Sequence, residues 1–213
     1  QAMIDHGLAV DLDVLLDELA EVIAEFGSNY TNHYDQLLKR VPQSALPGGS
    51  RALLVSAAMV GYHDTKFRHL RPFADVADVL TRLRDGTSLR LGVITEGLRV
   101  KQAEKIVRLD VLRWLDRDAV FISDDVGISK PNRKLYLRAC QAIGVDPGDT
   151  LYVGDHPKND IAAARAAGMR TVRFRSPGGK HVGQPDEVAP DFAITSLSEL
   201  PAIVAAELGL RSL

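Results

Sequence analysis

Two aspartates at the end of a predicted strand are the strongest candidates for chemistry in this sequence. Residues 150–153 (Thr-Leu-Tyr-Val) read as a short buried strand, Gly154 and Asp155 follow directly, and Asp160 opens an alanine-rich helix that ends at Gly168. Ligands of open parallel sheets bind at the carboxyl ends of strands, where paired carboxylate oxygens suit a magnesium ion that keeps several waters. The plainer alternative is that Asp155 caps the turn and Asp160 complements the helix dipole.

A hydroxyl group and a lysine follow two earlier predicted strands. In the run Ile94-Thr95-Glu96-Gly97, the Thr95 hydroxyl and the adjacent backbone N–H groups can donate to an anionic oxygen. Lys130 precedes Pro131, which favours an extended backbone at the lysine and keeps it off the next helix. Alone, Thr95 also fits a helix cap and Lys130 a solvated surface lysine. Together with the two aspartates, each after a successive strand, they indicate one site.

The elements that position these residues alternate between strand and helix. From Pro72 onward, short apolar runs that read as strands alternate with amphipathic helical runs. The predicted strands cover residues 89–94, 119–122, 150–153, 170–174 and 192–194. Such alternation is typical of a parallel sheet wrapped by helices. We therefore predict an α/β fold with a doubly wound parallel sheet for residues 71–213.

Residues 1–70 have a different, purely helical pattern. Apolar residues recur at helical spacing from Leu12 to Phe26, with Asp11 or Asp13 as a natural N-cap and Gly27 as a stop. Further helices are predicted over residues 30–40 and 51–68, with a break at residues 42–49. The pattern predicts a small helical domain in front of the α/β domain.

Composition restricts the class of partner. The 213 residues are 46% apolar and 25% charged, which is ordinary for a globular protein with a full core. A net charge of -2 and a pI near 6.3 give no broad basic surface for nucleic acid or an anionic membrane, so a small molecule fits better. The single cysteine, Cys140, cannot form an internal disulfide, which favours the cytoplasm. The histidines lack zinc-ligand spacing.

Three of these segments resemble motifs of a known family. Thr95, residues 122–131 and residues 154–160 with their alanine-rich helix resemble the second, third and fourth motifs of the haloacid dehalogenase-like hydrolases. The similarity is closest to the phosphoglycolate-phosphatase-like branch and covers the chain from about Pro72 to its end, while residues 1–70 resemble that branch's helical cap. The resemblance implies a magnesium-dependent phosphatase of small phosphorylated metabolites that passes through an aspartyl-phosphate.

The resemblance also implies a role for each candidate residue. Lys130 would offset negative charge on the nucleophile and the phosphate, and Asp155 would bind Mg²⁺ with the assistance of Asp160. Thr95 would hold the phosphoryl group. The implied phosphate-binding set is Thr95, Glu96, Gly97 and Lys130. Glu96 stands where Asp or Asn is usual, and Asn132-Arg133 replaces the common Asp-Pro; these departures concern the substrate contacts and not the reaction class.

The family's first motif, Asp-x-Asp-x-Thr at the end of a strand, has no good match in this sequence. The nearest run, Asp11-Leu12-Asp13, lacks the threonine, and only residues 8–10 could form its strand. The helical period that continues to Phe26 favours a helix cap for both aspartates. We therefore expect the nucleophile on a further strand upstream of Gln1, lying between the strands that end at Thr95 and Gly154.

Two other functions remain open from the sequence. A dehalogenase of the same superfamily would need no metal, and the pair Asp155 and Asp160 argues against it. A non-catalytic phosphate-binding relative would explain the missing first motif. The substrate is not predicted, and both a monomer and a homodimer are compatible with the sequence. Polar residues of the helical domain, such as Asn29, His33 or Lys66, are expected to select the substrate.

Overall fold

The protein divides into two compact units. The structure, a computed structural model, describes residues 1–209. The first unit spans Gln1–Leu70, and the second begins at Arg71. Within residues 1–209, none of the helices combines the length and the apolar character that a membrane span requires.

The first unit is helical, as its apolar periodicity predicts. Its core consists mainly of leucines, and Leu8, Leu37 and Leu38 are almost completely buried. A single 3-10 turn, Gln43–Ala45, lies in the predicted break between the last two helices. The helices are α1 (Ala2–Asp5), α2 (Leu12–Phe26), α3 (His33–Arg40) and α4 (Arg51–His69).

Asp11 caps helix α2 and lies on no strand. Its carboxylate accepts hydrogen bonds from the N–H groups of Asp13, at 2.9 Å, and Val14, at 3.3 Å. The helix ends at Gly27, whose φ of 78° is accessible to glycine at little cost. Residues 8–10, the only candidate strand before Asp11, have no strand structure. The helix-cap interpretation of Asp11 is therefore confirmed.

The second unit has the predicted alternation of helices and strands. Each short strand is followed by a helix or a helical turn, except where β4 leads into the long connection to β5. The strands are β1 (Val93–Thr95), β2 (Val120–Ile122), β3 (Leu151–Gly154), β4 (Arg170–Phe174) and β5 (Phe192–Ile194). The helices are α5 (Val76–Gly86), α6 (Arg99–Arg108), α7 (Ser123–Val126), α8 (Arg133–Ile143), α9 (Ala163–Ala166) and α10 (Leu200–Glu207).

All paired strands are parallel, but they form two ladders. Strand β1 pairs with β2, and β3 pairs with β4, which pairs with β5. Among the described residues no ladder joins β1 to β3, so each presents one edge without a strand partner. The strand predicted over residues 89–94 is observed as Val93–Thr95, the residues that pair with β2; Leu89 and Leu91 precede this ladder and pack against the core.

Helices cover both faces of the β3-β4-β5 sheet. On β3, Tyr152 packs with α8 and α9 around Leu135 and Ala164. The alternate residues Leu151 and Val153 join a second cluster with α5 and α10. Successive strand residues point to opposite faces, so these two clusters lie on opposite sides of the sheet. This is the doubly wound arrangement that the sequence predicts.

Candidate active site

Lys130 and Asp160 form a buried ion pair at the carboxyl end of β3. Lys130 Nζ donates to Asp160 Oδ1 at 2.6 Å, and the two side chains are only 10% and 8% exposed. Lys130 Nζ also donates to the Tyr152 hydroxyl oxygen at 2.8 Å. Asp160 Oδ2 accepts from the His156 N–H at 2.9 Å, and the Tyr152 hydroxyl lies 3.1 Å from Oδ1. Both carboxylate oxygens of Asp160 are therefore bound.

These contacts shift the pKa values of Asp160 and of the neighbouring Tyr152. Burial alone would raise the pKa of Asp160, but the charge of Lys130 and the hydrogen bonds outweigh it, and the pKa of Asp160 is lowered. Burial, followed by the negative charge of Asp160, raises the pKa of Tyr152 well above its usual value. At neutral pH Asp160 is a carboxylate and Tyr152 a neutral phenol.

Asp155 is placed differently from Asp160. It follows Gly154 directly and its side chain is exposed at the strand end. Gly154 allows Asp160 to pack beneath the strand end, because a Cβ at residue 154 would lie 2.4 Å from the Asp160 Cβ. Asp155 therefore offers an open carboxylate, whereas Asp160 is engaged by Lys130.

The donor set at this strand end fits part of a magnesium site. An exposed carboxylate with a second carboxylate close behind it supplies hard oxygen ligands and leaves room for waters. Within residues 1–209, no cluster of three or more His, Cys, Asp or Glu side chains is arranged to hold a metal ion. Binding of Mg²⁺ by Asp155 and Asp160 stays a prediction: the Asp155 carboxylate is open, and the Asp160 carboxylate is already paired with Lys130.

The turn after Asp155 is held by histidine and tyrosine side chains. His156 is the N-cap of the π-helical turn Pro157–Ala162, and its Nδ1 accepts from the N–H groups of Lys158 and Asn159 at 3.2 Å each. The Tyr136 hydroxyl donates to the Asn159 carbonyl oxygen at 2.5 Å. His156 therefore has a structural role in this turn. Turns of the π-helical type are common at functional sites.

A buried arginine fixes the long connection between β4 and β5. Arg173 is fully buried, its Nε lies 3.2 Å from Asp186 Oδ1, and its Nη2 donates to the His181 carbonyl oxygen at 2.8 Å. Asp186 also accepts from Arg175 at 2.6 Å. The His181 ring lies 4.4 Å, centroid to centroid, from the His156 ring. This connection is therefore anchored beside the turn that follows Asp155.

Thr95 and Gly97 already have hydrogen-bond partners at the end of β1. The Thr95 hydroxyl donates to Gln102 Oε1 at 3.1 Å, and the Gly97 N–H donates to Ser123 Oγ at 3.0 Å. Glu96, between them, is exposed. The role of the Gly97 N–H in phosphate binding stays a prediction, and it has to compete with Ser123.

Tyr152 connects the end of β1 to the ion pair. Its hydroxyl lies 3.5 Å from the carbonyl oxygen of Ile94, the residue before Thr95. The Tyr152 hydroxyl oxygen also accepts a hydrogen bond from Lys130 Nζ. The structure thus brings the end of β1, Lys130 and the Asp155 turn to one edge of the second unit. Sequence reasoning missed Tyr152 as a site residue, and its polar hydroxyl in an otherwise apolar strand was the available signal.

Gln102 and Ser123 were also missed from the sequence. Ser123 directly follows β2, as Thr95 ends β1, so its position was a usable signal. Gln102 lies inside α6, where a polar residue has no local signature of function. The residues predicted to select substrate, Asn29, His33 and Lys66, belong to the first unit, where His33 Nε2 lies 2.8 Å from the Gly27 carbonyl oxygen.

Comparison with known proteins identifies the family. A family model described as haloacid dehalogenase-like hydrolase matches residues 16–174. A protein of Methanopyrus kandleri named glyceraldehyde 3-phosphate phosphatase is 42% identical over 96% of this chain and 85% of its own length. A protein of the same name from Pyrococcus abyssi is 43% identical over 81% of this chain and 69% of its own length.

A comparison with solved structures gives the same family. The structure of a 2-haloacid dehalogenase from Pseudomonas syringae pv. Tomato DC3000 matches 97% of this chain and 89% of its own, with a TM-score of 0.65 and 26% identity. The comparisons confirm the predicted α/β fold and the predicted enzyme class, a phosphatase of small phosphorylated metabolites. This chain belongs to the haloacid dehalogenase-like hydrolase family.

Proposed function

We propose that this protein hydrolyses the phosphate ester of glyceraldehyde 3-phosphate, or of a closely similar three-carbon phosphate, in a Mg²⁺-dependent reaction. Two archaeal relatives that are 42% and 43% identical carry the name of that activity. The observation that carries the proposal is the buried pair of Lys130 and Asp160 at the carboxyl end of β3, which Tyr152 links to the end of β1 and whose Asp160 lies on the same turn as the exposed Asp155.

The geometry suits phosphoryl transfer because that reaction mainly requires positioning and stabilisation of charge on oxygen. Asp160 and Tyr152 hold the Lys130 ammonium in place, so its positive charge is fixed before a substrate arrives. The Thr95 hydroxyl would donate to a phosphoryl oxygen once its proton no longer binds Gln102. Asp155, with Asp160 behind it, would hold Mg²⁺, which when bound neutralises negative charge on the phosphoryl oxygens.

We further propose that the nucleophilic aspartate lies on a strand between β1 and β3, where it forms the aspartyl-phosphate. The support is the interrupted sheet: β1 and β3 each have one edge without a strand partner among the described residues. A strand placed there would end between Thr95 and Asp155. Asp11 is the weaker candidate, since its carboxylate already caps α2.

The helical unit and the cellular setting complete the proposal. We propose that residues 1–70 act as the cap that selects the substrate, through polar groups such as Asn29, His33 or Lys66.

A cytoplasmic location is supported by the cysteine content, since the chain contains a single cysteine, the buried Cys140. The active form is a monomer or a homodimer.

Phosphate release tests the proposal. The assay compares glyceraldehyde 3-phosphate and a simple aryl phosphate, with Mg²⁺ and with a chelator, using this chain and a form extended at its N-terminus. Lys130→Met is expected to lower kcat/KM by about 100-fold or more, because the fixed charge is lost. Lys134→Met, at an exposed position on α8, is the matched control and should stay within about twofold.

Four outcomes would overturn parts of the proposal. A turnover of Lys130→Met equal to that of wild type would show that Lys130 takes no part in catalysis. Activity that is unchanged in the presence of the chelator would show that the reaction does not require Mg²⁺. Release of halide from a short 2-haloacid without metal, and no release of phosphate, would support the dehalogenase alternative. Activity of the short form that disappears in Asp11→Asn would make Asp11 the nucleophile.

A further inference from the structure

The Thr95 hydroxyl is bound to a side chain outside every predicted motif. Thr95 Oγ1 donates to Gln102 Oε1 at 3.1 Å, and Gln102 lies in the first turns of α6. A hydroxyl carries one proton and can accept two hydrogen bonds. While its proton is donated to Gln102, Thr95 has no proton to give to a phosphoryl oxygen. Phosphate binding through Thr95 therefore requires that this hydrogen bond change, either by breaking or by reversing its direction.

The amide of Gln102 can supply that change without moving the backbone. A half-turn about its terminal bond exchanges the carbonyl oxygen, an acceptor, for the NH₂ group, a donor. With NH₂ towards Thr95, Gln102 donates to Oγ1, and the threonine proton is free to point at the phosphoryl group. The orientation of Gln102 thus decides the direction of the Thr95 hydroxyl.

The loop between β1 and α6 is built to keep Gln102 close to Thr95. Gly97 has a φ of 132°, and a Cβ at this position would lie 2.5 Å from Gln102 Nε2 and 3.2 Å from its Cδ. A side chain at this position would displace the Gln102 amide, and a φ of 132° is one that residues other than glycine rarely adopt. The Gly97 N–H is fixed by the buried Ser123, and Asp124 Oδ2 accepts from the Arg99 N–H at 3.0 Å.

We propose that Gln102 is a positioning residue for phosphate binding, which acts by donating its amide N–H to Thr95 Oγ1 and so directing the Thr95 proton to a phosphoryl oxygen. The inference rests on the proposed phosphatase function. It predicts that Gln102 matters only while Thr95 carries its hydroxyl. A purely structural contact of Gln102 would matter equally without that hydroxyl.

A double-mutant cycle on the complete enzyme tests this coupling. The variants are Gln102→Leu, Thr95→Val and the double variant, and the readouts are the affinity for inorganic phosphate by calorimetry and the separate values of KM and kcat. Gln102→Leu is expected to weaken phosphate binding about tenfold, equivalent to about 1.4 kcal/mol. The double variant should bind phosphate no more weakly than Thr95→Val alone.

Controls keep the result interpretable. Gln141→Leu changes an exposed glutamine on α8 and should leave phosphate affinity within about twofold of wild type. Fluorescence of the single tryptophan, Trp114, checks folding, and Gln102→Met replaces the leucine variant if that variant unfolds.

Three results would overturn the inference. The first is phosphate affinity unchanged in Gln102→Leu while Thr95→Val weakens it. The second is an equal loss from Gln102→Leu with and without the Thr95 hydroxyl, since Gln102 then acts elsewhere. The third is a wild-type enzyme that neither binds phosphate nor hydrolyses phosphate esters, which removes the proposed function itself together with this inference.

Discussion

Replacing Lys130 by methionine should destabilise the second unit as well as stop turnover. The change removes the positive charge beside Asp160, which is 5% exposed and keeps only hydrogen bonds from neutral groups. Removing one partner of a buried ion pair typically costs about 3–5 kcal/mol, because the other charge is left uncompensated. Whole domains are stable by roughly 5–15 kcal/mol, so the loss is a large fraction of the total.

A second substitution separates charge from packing. Adding Asp160→Asn to Lys130→Met removes the uncompensated charge, while the amide oxygen can still accept from the His156 N–H. The double variant should therefore be less destabilised than the sum of the two single variants, by about 2 kcal/mol or more. Such a coupling would identify electrostatic compensation, and not lost side-chain volume, as the source of the effect.

Urea unfolding followed by tryptophan fluorescence measures these differences. Trp114 is the single tryptophan, is 9% exposed, and donates its indole N–H to the Thr81 hydroxyl at 2.8 Å. It lies in the same unit as the ion pair, so its signal reports the relevant transition. Lys134→Met is again the matched control. An unfolding midpoint of Lys130→Met equal to wild type, or strictly additive single effects, would refute the reasoning.

Two further changes test the metal site and the pH dependence. Asp155→Ala should lower Mg²⁺ affinity of the complete enzyme at least tenfold by calorimetry, because an open carboxylate is lost, and equal affinity would place the ligand elsewhere. Burial raises the pKa of Asp191, but hydrogen bonds from Thr171 and Arg165 outweigh this and lower it. A carboxylate whose pKa is lower in the folded state stabilises the fold at pH values above its unfolded pKa of about 3.9. This stabilisation is lost as the pH falls below that value. Asp191→Asn should lower the free energy of unfolding by about 1–3 kcal/mol at pH 7. In urea unfolding this difference from wild type should become smaller below about pH 4, and a difference that is independent of pH would contradict the prediction.

Local pattern was sufficient for most element positions. The predicted strands at Arg170–Phe174 and Phe192–Ile194 have those bounds in the structure, because short runs with β-branched and aromatic residues between turn residues favour strands. The apolar spacing of residues 100–115 predicts one helix, but α6 ends at Arg108. Asp110 adopts a φ of 53°, in the left-handed region, and a separate 3-10 turn follows. Apolar spacing alone does not show such a backbone reversal.

The sequence by itself determined which groups reach the carboxyl edge of the sheet. Thr95, Lys130 and Asp155 each follow a strand, and parallel strands bring their carboxyl ends to one edge whatever the details of packing. The motif resemblance and the helical pattern of residues 1–70 are likewise local properties of the chain.

Only the tertiary structure decided what those groups contact. Asp160 meets Lys130, 30 residues earlier in the chain, and Gln102 meets Thr95 across a loop that requires Gly97. Arg173, which composition rules would place at the surface, is fully buried beside Asp186. These pairings depend on side-chain rotamers and on distances between elements. The apolar periodicity of a single element predicts neither. The chemistry of the site follows from them, because a charge or a proton acts according to the partner that holds it.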